Sequence, residues 1–184
     1  MVSDIQSDRA WTNLFENILV PLDASEHSLR ALEVAIQVAK KFGGKISLIH
    51  VYSVDVRPVI MPEPTTLTPP MIPVMTPAEV SKAVEVARKA GASILADGEQ
   101  KVKVEEVQVE TLLKEGHTVQ EIVKTAKEGK FDLIVIGGRG ISKIRELLLG
   151  SVTDGVIHHA PCPVLVIKLV PRSEDCASHP QSQP

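Results

Sequence analysis

The chain of 184 residues carries a formal net charge of −3, and 43% of it is apolar, enough length and apolarity to bury the core of one globular domain. Aromatic residues make up only 3%, which makes the core aliphatic and argues against the stacking platforms of single-stranded RNA modules. A pI near 6.1 leaves no overall basic field for a polyanion, so nucleic acid is not an expected partner.

Residues 1–14 read as an N-terminal extension. NILVPL at 17–22 is a short apolar run ending at Asp23, the pattern of a buried strand. Ser25 is placed to cap a helix over about 26–42, in which Leu29, Leu32, Ile36 and Ala39 recur every three or four residues and Gly43-Gly44 mark the end. KISLIHVY at 45–52 predicts a second strand. Six of the thirteen prolines then fall between Pro58 and Pro73, a density that forbids a regular helix or an interior strand. The expectation for 53–76 is an insert loop, of the kind that serves as a lid, a partner-binding arm or a mobile excursion.

Thr76-Pro77-Ala78-Glu79 is a capping box with proline at the first helical position. It opens a helix to about 101 with Val80, Val84, Ala87, Gly91 and Ile94 on one side. VEEVQVETLL at 104–113 alternates apolar and polar residues and predicts a strand near a sheet edge. Thr118 and Glu121 suggest a second capping box, for a helix ending near Gly129. DLIVI at 132–136 is a fully apolar strand. Ser151 and Asp154 fit a capping-box variant for a helix to about His159, and PVLVIKL at 163–169 predicts a fifth strand. The last residues, 171–184, read as a disordered tail.

Five strands alternating with helices predict an α/β fold with a parallel sheet and right-handed crossovers. Ligands in such open sheets sit beyond the carboxyl ends of the strands. Asp23, Val51 and Gly137 fall at three such ends and are expected to converge on one crevice. Cys162 and Cys176 match no metal spacing, and Cys162, between Pro161 and Pro163, reads as a small apolar residue. The first residues lack the apolar stretch of a secretory signal, and no run approaches the ~20 residues that span a bilayer. The expectation is a cytoplasmic protein without a membrane partner.

The most informative segment is DLIVIGGRGISKIRELLLGSVT, from Asp132 to Thr153. A buried strand passes into Gly137, Gly138 and Gly140, crosses a basic stretch, and reaches Gly150-Ser151 at the start of another helix. Glycines let a backbone approach a ligand, and a helix start offers free N–H groups to an anion. The segment is neither a P-loop nor a dinucleotide fingerprint, because Lys143 stands where the third glycine of the latter belongs.

The spacing of Gly137, two residues, Gly140, nine residues and Gly150-Ser151 resembles the ATP-binding members of the universal stress protein family. NILVPLDAS, DLIVIGGRG and GSVTDGVIHHAPCPVLVI carry the likeness, which covers about 15–170. It implies one domain with the adenine nucleotide alpha hydrolase-like, Rossmann-like fold, a five-stranded parallel sheet of order 3-2-1-4-5 with helices on both faces. It also implies a homodimer through the fifth strand, Pro163 to Leu169, in line with the pairing hazard of an apolar edge.

On matching positions, the resemblance implies that Pro21, Leu22 and Ile136 shape an adenine pocket and that the Val51 backbone binds the adenine edge. It gives Asp23 a ribose hydroxyl, with a cap on the following helix as the other reading. Gly137, Arg139 and Gly140 would wrap the phosphates, and Gly150, Ser151, Val152 and Thr153 would meet them with N–H groups and two hydroxyls. Lys143 and Arg145 read as solvent-facing charges, His117 as a loop residue, and His158-His159 point too far apart for a metal site.

The ligand implied is ATP, with or without Mg or Mn, and AMP or a cyclic nucleotide is the alternative that the adenosine contacts would also admit. Asp23 is the one acid clearly near the site, and no nucleophile–base arrangement is readable, so the expectation is binding with at most slow ATP hydrolysis. Three functions stay open: a nucleotide-dependent regulatory switch in the stress response, a slow ATPase, and a nucleotide-free dimerisation protein.

Overall fold

The apolar runs NILVP and LIVIG lie at the centre of one parallel sheet with KISLIHVY beside them, and the alternating third strand and the short apolar fifth are its edges. In chain order the strands are β1 (Asn17–Pro21), β2 (Lys45–Tyr52), β3 (Val109–Glu115), β4 (Leu133–Gly137) and β5 (Val164–Ile167). They lie in the order β3-β2-β1-β4-β5, all pairs parallel, as the family resemblance implies. The helices are α1 (Glu26–Phe42), α2 (Pro77–Val104), α3 (Thr118–Glu128) and α4 (Ser151–His159). This computed structural model describes residues 15–53, 76–140 and 149–169. The extension at 1–14, the proline-rich insert between Ser53 and Thr76, Lys143, Arg145 and the tail at 171–184 lie outside the described residues.

Strand alternation sends side chains to two cores, one on each face. Ile18, Val20, Leu48 and Val135 meet Leu32, Ile36, Leu95 and Val102 of α1 and α2. Leu19, Ile49, Ile134 and Ile136 meet Ile122, Ala126 and Val156 of α3 and α4. β1 and β4, buried on both faces, have no polar positions to spare, which is why they read as unbroken apolar runs.

Two of the expected helix starts form as the sequence implies. The Ser25 hydroxyl accepts from Ser28 N (3.2 Å), and Thr76 and Glu79 close a reciprocal capping box behind Pro77. The amide and hydroxyl of Thr76 hold the exposed Glu79 carboxyl below its ordinary pKa. Two others do not. α3 is capped by His117 and α4 by Gly150, neither through a side chain, so Thr118 and Ser151 are first helical residues instead of caps.

The third strand also starts later than the alternation in 104–113 suggests. The helical period of Leu95, Gly98 and Val102 carries α2 to Val104, and a turn with Glu106 at φ +59° precedes Val109. Val107, expected in the strand, is a buried residue between that turn and the strand. The fifth strand is shorter than 163–169 as well. Among the described residues no helix is long and apolar enough to cross a membrane.

The α1–β2 turn separates two roles of glycine. Gly43 ends α1 in the left-handed region (φ +74°), with open space where a Cβ would stand. Gly44 has ordinary φ, but a Cβ there would strike the backbone carbonyl of Phe15. Gly43→Ala is expected to cost about 1 kcal/mol. Gly44→Ala is expected to cost more, because the obstacle is main chain; urea unfolding of the two variants checks the order.

Candidate functional site

The crevice arises from topology. The neighbours β1 and β4 send their chains to opposite faces of the sheet, β1 into α1 on one side and β4 toward α4 on the other. The divergence leaves a gap beyond their carboxyl ends, where open α/β sheets hold ligands. A cleft of about 340 Å³ occupies it, within the ~300–1,000 Å³ usual for small-molecule sites.

All twelve residues expected from the sequence line this one cleft. Pro21, Leu22 and Asp23 come from the end of β1, Val51 from β2, and Ile136, Gly137, Arg139 and Gly140 from the end of β4 and its loop. Gly150, Ser151, Val152 and Thr153 form the start of α4. Val51 owes its place to strand register. Ile49 O accepts from Leu22 N (2.9 Å), so Ile49 faces β1, while Tyr52 O accepts from Gly116 N on the β3 side (3.0 Å). Val51, in phase with Ile49, therefore turns its N–H and C=O toward β1 just past that strand's end.

Asp23 is held by its own turn. Its Oδ1 accepts from Ser25 N (3.0 Å), and its N–H donates to Ser28 Oγ (3.4 Å). Ser25, not Asp23, caps α1. The other carboxylate oxygen lies beside Gly140, where a Cβ would come within 2.6 Å of it. Between Asp23 and Ser25, Ala24 adopts φ +63°, a conformation that L residues hold only under constraint from their surroundings.

The glycine loop is tied to the sheet and to α4. Gly137 lets the end of β4 meet the first turn of α1, since a Cβ there would fall 2.7 Å from His27 C and 2.8 Å from Ser28 N. Gly138 N donates to Ile167 O (2.7 Å), and Gly138 O accepts from Gly150 N (2.9 Å). The second bond brings residues twelve apart in the chain to one place. The buried Thr153 hydroxyl donates to Gly137 O (2.8 Å). This corrects one expectation: its hydrogen fixes the loop and is not offered to a ligand. The N–H groups of Ser151, Val152 and Thr153 have no intrahelical partner, and the N-cap residue, Gly150, has no side chain to cap them.

The lining thus combines an apolar body (Ile49, Val51, Ile122, Ile136, Val152), one carboxylate and a helix start. It suits an amphipathic molecule with an apolar ring, a hydroxyl and an anionic end. Among the described residues no three His, Cys, Asp or Glu side chains gather as a metal site. His117 does not line the cleft, and His158 and His159 turn Nδ1 to the carbonyls of Asp154 and Gly155. Burial and the Asp132 carboxylate push the Cys162 thiol above its usual pKa, in keeping with a packing role away from the cleft.

Five lining residues were not legible beforehand: Ser28, Ile49, His50, Thr118 and Ile122. Ile49 and Ile122 read as core, and they are core. Thr118 and Ile122 share one face of α3, but nothing local says that the face reaches the cleft. His50 did carry a signal, as an imidazole inside an apolar strand one residue before Val51.

A profile of the Universal stress protein family matches residues 14–168. A universal stress protein of Bacillus subtilis is 33% identical over 155 residues, 84% of this chain and 100% of its own. One of Methanocaldococcus jannaschii is 36% identical over 162 residues, 87% of this chain and 86% of its own. Among solved structures, a universal stress protein in complex with cAMP superposes with a TM-score of 0.58 at 24% identity, covering 84% of this chain and 98% of its own. A family protein of Arabidopsis thaliana with AMP bound also gives 0.58, at 21% identity, covering 85% and 93%. The sheet order and these likenesses agree, and the chain belongs to the universal stress protein family.

Proposed function

We propose that the chain is an ATP-binding universal stress protein of the cytoplasm, one domain over 15–170, whose nucleotide state works as a regulatory switch in the stress response. One observation carries this reading: the Asp23 carboxylate and the uncapped start of α4 face a single cleft across the Gly137–Gly140 loop. Pro21, Leu22 and Ile136 enclose the adenine, the Val51 main chain pairs with its edge, and Asp23 accepts from the ribose. Gly137, Arg139 and Gly140 follow the phosphates, and the N–H groups of Ser151, Val152 and Thr153 meet them, with Gly150, its own N–H held by Gly138 O, as the close-approach position at the helix start. A helix start contributes only ~0.3–1 kcal/mol through its dipole, so several N–H bonds acting together supply the affinity.

An accompanying Mg or Mn ion would be held chiefly by the phosphates and water, because Asp23 is the one acidic side chain among the described lining residues. The imidazole among them, His50, has its Nδ1 proton committed to Leu22 O (2.7 Å). The ring's other nitrogen, Nε2, lies against Gly91 of α2, where a Cβ would come within 3.1 Å of it, and this packing favours binding over rapid hydrolysis. AMP or a cyclic nucleotide is the second reading, supported by the relatives solved with AMP and cAMP. Mass spectrometry of the freshly purified, denatured protein is expected to release ATP. ADP or AMP would point to slow turnover or a monophosphate ligand, and an empty protein would overturn the reading. In Gly150→Val the Cβ meets Arg139 Cα and Gly140 N only at 3.4 and 3.6 Å, so the fold should persist. The branched methyls obstruct the phosphate path, and ATP binding by calorimetry is expected to fall on the order of 100-fold with an unchanged melting temperature.

We also propose pairing of two copies through β5, between Pro163 and Leu169. Leu165 and Ile157, 37% and 41% exposed, lie on that edge strand and on the neighbouring α4, and an open apolar edge invites another chain. Leu165→Lys is expected to shift sedimentation from dimer to monomer at micromolar concentration.

A further inference from the structure

Leu22, the first residue past β1, has both of its main-chain polar groups held by consecutive residues of β2. Its N–H donates to Ile49 O (2.9 Å), and its carbonyl accepts from the His50 ring at Nδ1 (2.7 Å). A carbonyl can only accept, so the His50 proton sits on Nδ1. The Leu22 side chain is seated as well: a Cβ at Gly98 of α2 would fall 2.6 Å from its Cδ1. The imidazole occupies a notch in the same helix, where a Cβ at Gly91 would lie 2.5 Å from Cδ2 and 3.1 Å from Nε2. The two glycines, seven residues apart on one face of α2, leave room for the ring and for the leucine it holds.

The next residues are under constraint. Asp23 is tied through N–H and Oδ1 to the first turn of α1, and Ala24 is kept at φ +63°. A left-handed alanine persists only where both flanks are fixed. Ser25 and Ser28 fix one flank, and the grip of β2 on Leu22 fixes the other.

We propose that His50 is a positioning residue for the ribose end of the cleft: by clamping the Leu22 carbonyl with its Nδ1 proton it holds the strained turn that aims the Asp23 carboxylate. The inference rests on the nucleotide reading for its ligand, but the clamp itself does not. The ring's consequence for binding is selective. It touches discrimination by Asp23 between a ribose and a sugar without hydroxyls, and it leaves the Gly137–Gly140 loop and the start of α4 as they are.

Calorimetry with ATP and with its dideoxyribose analogue, which lacks both ribose hydroxyls, tests this in the full chain. The wild type is expected to prefer ATP by about tenfold or more, the range of a hydrogen bond to a charged acceptor. His50→Leu is expected to reduce the preference to within about twofold with analogue affinity retained. His50→Asn, whose amide nitrogen replaces Nδ1, is expected to keep the preference. A preference that survives in His50→Leu, an equal loss for both ligands, or an asparagine variant that behaves like leucine would overturn the proposal. Imidazole ¹⁵N spectra of the ligand-free wild type should place the His50 proton on Nδ1. A proton on Nε2 would overturn the clamp whether or not nucleotides bind, whereas a correct tautomer in a protein that binds neither ligand would sink the nucleotide reading and the ribose role with it.

Discussion

The parallel pairing of β1 with β4 is the constraint on which the rest depends. It is short, with Ile18 opposite Leu133 and Leu19 opposite Ile134, and it is pinned at its amino end by Asp132. The carboxylate of Asp132 accepts from Glu16 N (2.8 Å) and Asn17 N (3.0 Å), and its own N–H donates to Asn17 O (3.1 Å). Two strands fixed side by side at their starts must then part at their ends, because α1 covers one face and α4 the other. The cleft is the space left by that parting, and every residue that lines it is positioned by how its chain leaves the sheet.

Around the cleft, several polar side chains serve the backbone before they serve any ligand. Thr153 donates to Gly137 O, Ser28 Oγ donates to Ser25 O (2.9 Å), and His50 donates to Leu22 O. Buried hydroxyls and imidazoles without partners would each cost about 1–3 kcal/mol, so these commitments stabilise the fold while they shape the site. Main-chain groups are thereby left over at the positions where a ligand would need them, at Val51 and at the start of α4. A site built largely of backbone tolerates sequence change in its side chains, provided the glycines that allow close approach remain.

This division explains what could be read from the chain alone. β1 and β4 were legible because burial on both faces leaves little choice of residue, and the convergence of Asp23, Val51 and Gly137 followed from strand ends in a parallel sheet. The glycine spacing from Gly137 to Ser151 was specific enough to suggest the family, and the resemblance supplied twelve residues that line the cleft while missing Ser28, Ile49, His50, Thr118 and Ile122. What stayed hidden depends on partners remote in sequence. Whether Thr118 or Ser151 caps a helix turns on where the preceding strand releases the chain, and each proved to lie one residue inside. The roles of Thr153 and His50 needed the carbonyls of Gly137 and Leu22, sixteen and twenty-eight residues away. Local alternation in 104–113 lost to the longer helical period that ends at Val104 because that period buries Val102 completely.

Two local choices at the cleft forgo stability, and they lie on opposite sides of it. Ala24 sits in the left-handed region where glycine would sit without strain, a cost of order 1 kcal/mol. Gly150 caps α4 without a side-chain acceptor, where serine or aspartate would add a few tenths of a kcal/mol. A chain selected for stability alone has simple remedies at both positions. The strained turn, however, holds the one carboxylate against the glycine loop, and a capping side chain would occupy the N–H groups that face it. Under the proposed reading, a nucleotide accepts from those N–H groups and donates to that carboxylate, so its binding free energy offsets both deficits at once. Ligand that binds only the folded chain stabilises it by about 2.7 kcal/mol at a hundredfold excess over Kd, more than either deficit.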